Sequence, residues 1–309
     1  AGLRTEGIAT EGEGANGTVD SNRGRVATPL LHTVWKFDPQ ARDQVRASLT
    51  RSWRAPNLGQ LIGRPSVNRI DPAPGANTEL TADSAGNPAL KPEVAIGIDI
   101  AIERYLADGG VLSANLFHRR IDDLIRNVVA LEDVSWSPGQ PRFVSRPHNI
   151  GKATTRGLEL EAKFRLDQLI DDAPRTEVRA NASVLRSRVQ AVPGPDNRLA
   201  EQPGGTLNLG LDHRFRAAPL TLGGNLNHTP GYRTRLEADR TIVQSEKNVL
   251  DVYALWTFSP ELRLRLSLSN TLARDGVSTT VVDSAAVTET SRTTTPSFAN
   301  AQLRLEIKL

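Results

Sequence analysis

Five histidines, His32, His118, His148, His213 and His228, are the side chains of this sequence best suited to acid–base work or metal ligation. A hydrolase would set one beside a nucleophile and orient it with a carboxylate, and a metal site would pair two at short spacing. Here they are scattered over separate segments, with neither a nucleophile–base spacing nor a His-x-His pair. His118, His213 and His228 also fall on the leucine-rich parity of their segments, a poor place for catalysis. The carboxylate pairs Asp122–Asp123 and Asp171–Asp172 read as turn and rim charges, since no acidic-box spacing surrounds them. Cysteine is absent, which excludes thiolate metal sites, thiol nucleophiles and disulfides. Lysine and arginine total 38 against 35 aspartates and glutamates, and the arginines alternate with leucines instead of gathering into a patch. Nucleic-acid binding needs such a patch and is not expected. The reading is of a non-enzyme with no catalytic residues, no metal site and no cofactor.

What must be positioned, then, is a surface. Hydrophobic residues make up 38% of the 309 residues, and no run approaches the roughly 20 apolar residues of a membrane helix. Period-two alternation dominates instead. Leu262, Leu264, Leu266 and Leu268 alternate with Arg263, Arg265, Ser267 and Ser269. Val94, Ile96, Ile98, Ile100 and Ile102 alternate with Ala95, Gly97, Asp99, Ala101 and Glu103. Similar runs cover Thr206–Phe215, Leu220–Thr229 and Ala301–Leu309. Each predicts a strand with one apolar and one polar face. About twelve strands are expected, near 2–12, 25–37, 43–54, 92–106, 110–127, 143–167, 175–189, 204–216, 219–232, 244–258, 261–275 and 295–309.

The links between these segments alternate in length. Short ones fall near 38–42, 107–109, 168–174, 217–218 and 259–260. Long ones fall near 13–24, 55–91, 128–142, 190–203, 233–243 and 276–294. An up-and-down outer-membrane barrel has short turns at its periplasmic end and long loops outside. Trp35, Phe37, Phe164, Phe215, Trp256 and Phe258 stand on the apolar parity just before short links. That is where a periplasmic aromatic girdle would meet the membrane–water interface. Tyr105 is the exception, on polar parity. The apolar face is expected to meet outer-membrane lipid, and the face bearing Glu159, Glu161, Lys163, Arg165, Arg179, Asn181, Arg263, Arg265, Arg304 and Glu306 a wet lumen.

Several motifs resemble the C-terminal part of the barrel of TonB-dependent receptors. They are SLTRSWRAPNLGQL (Ser48–Leu61), GNPALKPE (Gly86–Glu93), LSANLFHRRIDDLI (Leu112–Ile125), NIGKATTRGLELEAKF (Asn149–Phe164) and NVLDVYALWTFSPELRLRLSLSNTL (Asn248–Leu272). They occur in the family's order and cover most of the chain. GNPALKPE is the most specific, and its prolines enforce extended backbone before Glu93 opens a strand. Gly151 and Gly157 suit bends or bulges. The resemblance implies an all-β, antiparallel up-and-down transmembrane barrel in which these are the last twelve of 22 strands. Residues 1–309 then form one partial barrel domain without an internal boundary, in the bacterial outer membrane. A plug domain and a TonB-contact segment would precede it; neither is visible here. The chain begins at Ala1 and has no methionine, so a processed or cut start is expected.

The resemblance further implies energy-coupled uptake of a scarce ligand, most often a ferric siderophore or similar chelate, driven by the TonB complex through the plug. The C-terminal alternating strand would be read by the barrel-assembly machinery, although it ends in Leu309 and not the usual aromatic. In the long loop 55–90, Arg64, Asn68, Arg69, Asp71 and Asp83 are the candidate ligand contacts, with loops 128–146 and 276–294 next. Two other readings stand beside this one. A self-contained twelve-stranded passive pore is geometrically allowed, and an outer-membrane barrel enzyme is disfavoured by the scattered histidines.

Overall fold

The computed structural model describes residues 1–13, 19–38, 42–62, 65–68, 76–284 and 287–308. In chain order the first strands are β1 (Gly2–Glu13), β2 (Val19–Lys36), β3 (Gln44–Arg54), β4 (Asp83–Ser84), β5 (Glu93–Tyr105) and β6 (Val111–Asp122). Next come β7 (Ile125–Glu132), β8 (Arg142–Asn149), β9 (Ala153–Arg165), β10 (Thr176–Val189), β11 (Gly205–Arg214), β12 (Leu220–Thr229) and β13 (Tyr232–Arg235). The last are β14 (Arg240–Gln244), β15 (Lys247–Thr257), β16 (Leu262–Ser269), β17 (Gly276–Asp283), β18 (Thr288–Thr295) and β19 (Asn300–Ile307). One short helix, α1 (Leu58–Ile62), interrupts the loop after β3.

Twelve of these strands make one antiparallel sheet in the order β1-β2-β3-β5-β6-β9-β10-β11-β12-β15-β16-β19. Neighbours in sequence are neighbours in space, as in an up-and-down barrel wall. Among the described residues β1 pairs only with β2 and β19 only with β16, so the sheet has two open edges. Its register stacks like upon like. Leu49 faces Leu31 and Ile98, and Leu266 faces Ala254 and Leu303. On the other face Ser48 meets Asp99, and Asn181 meets Glu161 and Asn208. A slip of one residue would turn every leucine into the polar face, so the alternation fixes which face each strand presents, and the short links set the register.

The apolar rows are not covered by protein. Ile96, Ile98, Ile100 and Ile102 are each about half exposed, and Leu303, Leu305 and Ile307 more than half. Two clusters of buried hydrophobic residues lie instead at the long-loop end: Leu61, Leu90 and Ile125, and Leu124, Ala153, Val189 and Val192. In water such a wall would aggregate; against lipid it is satisfied.

The structure departs from the expected strands at the loop end. The segment expected at 110–127 divides into β6 and β7, and that at 143–167 into β8 and β9. The connection expected at 13–24 is mostly strand, since β1 and β2 pair out to Glu13 and Val19. The stretches 128–142, 233–243 and 276–294 hold strands that build two further sheets, β4-β8-β7 and β13-β14-β17-β18. β18, TETSRTTT, is polar on both faces, and the others, such as IRNVVALE of β7 and GVSTTVVD of β17, lack regular alternation, so no period-two pattern announced them. Gly157 makes no bulge: it stays in register between Phe117 and Leu185 because only a bare backbone fits there. A Cβ would lie 2.7 Å from the Phe117 ring and 2.8 Å from Leu185 Cδ2.

Candidate functional site

Period-two geometry puts the polar parity of β3 to β16 on one surface of the wall. A hollow of about 780 Å³ lies against it, lined by Arg46, Asp99, Asn115, Glu159, Glu161 and Asn181 among others. A neighbouring hollow of about 530 Å³ is lined by Arg179, Asp212, Tyr253, Arg265 and Arg304. Several of the carboxylates are held: Asp99, Glu159 and Asp212 each have a side-chain partner. Asn115 Nδ2 donates to Glu159 Oε2 at 3.0 Å. Arg179 reaches Glu177 at 2.9 Å and Asp212 at 3.3 Å. The Tyr253 hydroxyl donates to Asp212, and the Arg265 guanidinium lies 4.1 Å from the Tyr253 ring centre. Gly223 opposite Tyr253 leaves room for that ring. Such a wall offers charge and amide groups to a polar solute. Several of its groups are already engaged with one another.

At the long-loop end, residues from the quoted motifs converge on one buckle. Glu93 Oε1 accepts the Ile125 amide at 2.7 Å, while its other oxygen takes Arg54 Nε at 2.9 Å. Leu90 and Leu61 pack with Ile125 beneath it. Asn87 Nδ2 donates to the Pro147 carbonyl, and Asn22 Nδ2 to those of Pro88 and Leu90. Asn149 clasps Lys91 in both directions, accepting its amide and donating to its carbonyl. Gly151, at φ 106°, supplies the left-handed turn into β9. This buckle ties the ends of β3, β5, β6 and β9 to the loop between β3 and β5.

Above it, Asp83 is fully buried. Its oxygens accept Arg142 Nε at 2.7 Å, Arg142 Nη2 at 2.8 Å, Trp136 Nε1 at 2.9 Å and the Asn68 amide at 2.8 Å. The Arg142 fork and these further donors hold the carboxyl down at about 2, against its burial. Asn77, also buried, brackets Phe143 by accepting its amide and donating to its carbonyl. Arg126, on β7, donates to the carbonyls of Leu236 and Arg198, joining the first loop sheet to the second. Burial raises the Glu237 carboxyl beside it. The Arg240 guanidinium reaches the Glu79 carbonyl at 2.8 Å. The loops are thus knitted by buried arginines.

Of the candidate contacts, Asn68 exposes its side chain, while its backbone is pinned by Asp83 and by Arg142, which donates to its carbonyl at 3.0 Å. Asp83 presents no surface and serves as that pin. Arg64, Arg69 and Asp71 lie outside the described residues. The arginines Arg126 and Arg142 escaped the sequence reading, because a lone arginine in a short polar strand gives no sign of burial. The six aromatic residues stand near short links: Trp35 and Phe37 have ring centres 5.3 Å apart, Trp256 and Phe258 6.4 Å. Phe215 packs edge-on against His213, and Phe164 pairs across to Val178. Tyr105 instead donates to Glu103 at 2.9 Å under the Arg42 guanidinium.

Comparison with known proteins places this architecture. The model of the family described as TonB dependent receptor-like, beta-barrel matches residues 1–270. The iron-regulated outer membrane virulence protein of Vibrio cholerae serotype O1 is 25% identical over 155 residues, 49% of this chain and 22% of that protein. The ferric enterobactin receptor of Pseudomonas aeruginosa superposes with a TM-score of 0.58 at 18% identity, covering 88% of this chain and 38% of the receptor. The FrpB iron transporter of Neisseria meningitidis superposes with a TM-score of 0.59 at 16% identity, covering 99% of this chain and 41% of the transporter. The chain spans less than half the length of each of these relatives. With the family match running from the first strand into the last hairpins of the sheet, the chain belongs to the TonB-dependent receptor-like β-barrel family, and its strands lie in the bacterial outer membrane.

Proposed function

We propose that this chain supplies wall and outer loops to a receptor that takes up a ferric siderophore or similar chelate, energised by the TonB complex through a plug domain. The observation that carries the reading is the polar wall, with Arg46, Arg179, Arg265 and Arg304 along it, below loops locked by the buried Asp83–Arg142 ion pair. A mouth held in shape before binding loses less entropy on capturing a rare ligand. The hollow of about 780 Å³ is of the size that takes an organic complex and not a bare ion. Relatives named as a ferric enterobactin receptor and an iron transporter point to the same ligand class.

Within this reading residues 1–309 act as one barrel segment. Asn68, Arg64, Arg69 and Asp71 offer polar contacts from the loop that Asp83 anchors. The rings of Trp35, Phe37, Phe164, Phe215, Trp256 and Phe258 mark the periplasmic interface, and β19 is the strand read by the assembly machinery. The open edges at β1 and β19 favour a longer wall over a closed twelve-stranded pore.

The test is uptake of radiolabelled iron as ferric enterobactin by a receptor-deficient strain expressing the full-length native protein, with and without TonB. Accumulation only when TonB is present supports the proposal. Accumulation that survives loss of TonB would favour passive diffusion, and none with enterobactin or other ferric siderophores would remove the iron reading.

A further inference from the structure

The two loop sheets meet along the outer edge of β7, which pairs with β8 alone among the described residues. A strand edge presents backbone groups that need partners. Here the turn between β13 and β14 supplies them with side chains and carbonyls. Arg126 of β7 donates to the Leu236 carbonyl at 2.9 Å. In return Glu237 Oε2 accepts the Val129 amide in a long bond of 3.4 Å. Arg240, the first residue of β14, crosses to the Glu79 carbonyl in the loop before β4. How firmly the sheets hold together therefore depends on the charges gathered at this contact.

Those charges do not balance. Four carboxylates surround the contact: Glu79 from the β3–β5 loop, Glu237 and Asp239 from the β13–β14 turn, and Glu289 from β18. The guanidinium groups facing them are those of Arg240 and, from β7, Arg126. Arg126 directs its terminal nitrogens at the carbonyls of Leu236 and Arg198. Arg240 Nε stands 3.6 Å from Glu237 Oε1 and is buried with no hydrogen-bond partner among the described residues. Glu289 Oε2 is buried in the same condition. A carboxylate so enclosed, with one long amide bond and no close cation, is better accommodated with a proton than without. Burial raises both the Glu237 and the Glu79 carboxyl; Asp239 adds to this and Arg240 opposes it.

We propose that this contact is a proton-operated clasp between the loop sheets, closed when Glu237 carries a proton and loosened when Glu237 ionises. Protonated Glu237 still accepts the Val129 amide through its carbonyl oxygen. Ionised, it adds a charge beside Glu79, Asp239 and Glu289 that the two guanidinium groups do not offset. The carboxyl is raised above 4.5 in the closed loops, so closure is fully favoured below 4.5 and weakens as pH rises through the raised value. The Asp83 latch of the first loop sheet runs the other way, since its carboxyl is held down at about 2. Towards neutral pH the second loop sheet is therefore the part that gives way. This inference concerns the loops alone and stands whichever ligand is taken up.

The test is hydrogen exchange of the full-length native protein in detergent between pH 4.5 and 7.5, with each rate divided by the intrinsic rate at that pH. Protection at Val129 should fall at least about threefold across this range, and by no more than about tenfold per pH unit, the limit for one proton. Protection at Asn68, under the Asp83 latch, should stay level. Glu237→Gln is uncharged and keeps the acceptor. In that variant Val129 should be at least about threefold better protected than in wild type at pH 7.5, and level across the range. Wild-type protection at Val129 that is flat or rises with pH would overturn the proposal without any variant. An equal fall at Asn68 would also overturn it, by showing that all the loops loosen together. Weaker protection in the glutamine variant at pH 7.5 would overturn it too, by making the ionised Glu237–Arg240 pair the fastener.

Discussion

Replacing Asp83 by asparagine keeps the side-chain shape and removes one charge from the centre of the loop assembly. Four donors point at that carboxylate, two from Arg142 and one each from Trp136 and the Asn68 amide. The folded pKa of about 2 lies well below the ordinary 3.8. That depression stabilises the folded loops by about 2 kcal/mol at neutral pH. Removing one partner also strands Arg142, whose side chain is 11% exposed, without its counter-charge. Such truncations cost up to about 4 kcal/mol. Local opening of the loop sheet should therefore become ~30- to 1,000-fold easier. Hydrogen exchange of the native protein in detergent reads this directly at the Asn68, Ala85 and Phe143 amides, all bonded within the assembly. Because the folded pKa is depressed, the stabilisation is complete above about pH 4 and is lost as pH falls towards 2. Wild-type protection, taken relative to the intrinsic exchange rate at each pH, should approach that of the variant across this window, while the variant's protection stays flat. The D83N/R142Q double variant should recover part of the loss. Exchange at Asn68 and Phe143 within twofold of wild type at neutral pH would refute the latch.

Three further outcomes follow from the same structure. Glu93→Gln keeps an acceptor for the Ile125 amide but loses the partly exposed Arg54 pair, a cost of about 1 kcal/mol. Limited proteolysis should then cut faster within residues 55–90, and an unchanged cleavage rate would count against the buckle. Gly157→Val forces a Cβ against Phe117, Leu185 and the Val184 carbonyl, and should lower the thermal midpoint of the heat-modifiable band through about 2–3 kcal/mol of overpacking. No shift in that midpoint would mean that the strands move apart freely there. Lipids brominated near the headgroup should quench Trp35 and Trp256 fluorescence strongly and Trp136 hardly at all, measured in single-tryptophan variants. Equal quenching of all three would remove the girdle.

The sequence by itself determined the wall. Period-two alternation as regular as that of Glu261–Ser269 excludes any one-residue slip, so facing and the lipid–lumen division follow locally, while the short links set which even register is used. The motifs from Gly86 to Glu93 and from Asn149 to Phe164 were legible as strand entries, but not as parts of one buckle. Their meeting at Glu93, Arg54 and Ile125 depends on which strands are neighbours. The loop sheets were illegible for a different reason: β13, β14, β17 and β18 are four to eight residues long and none alternates apolar with polar residues regularly, so no pattern marks them. Only the tertiary structure decided that Asp83 is enclosed. A carboxylate in a polar loop reads as a surface group until a distant arginine, here Arg142, supplies the charge that makes its burial tolerable.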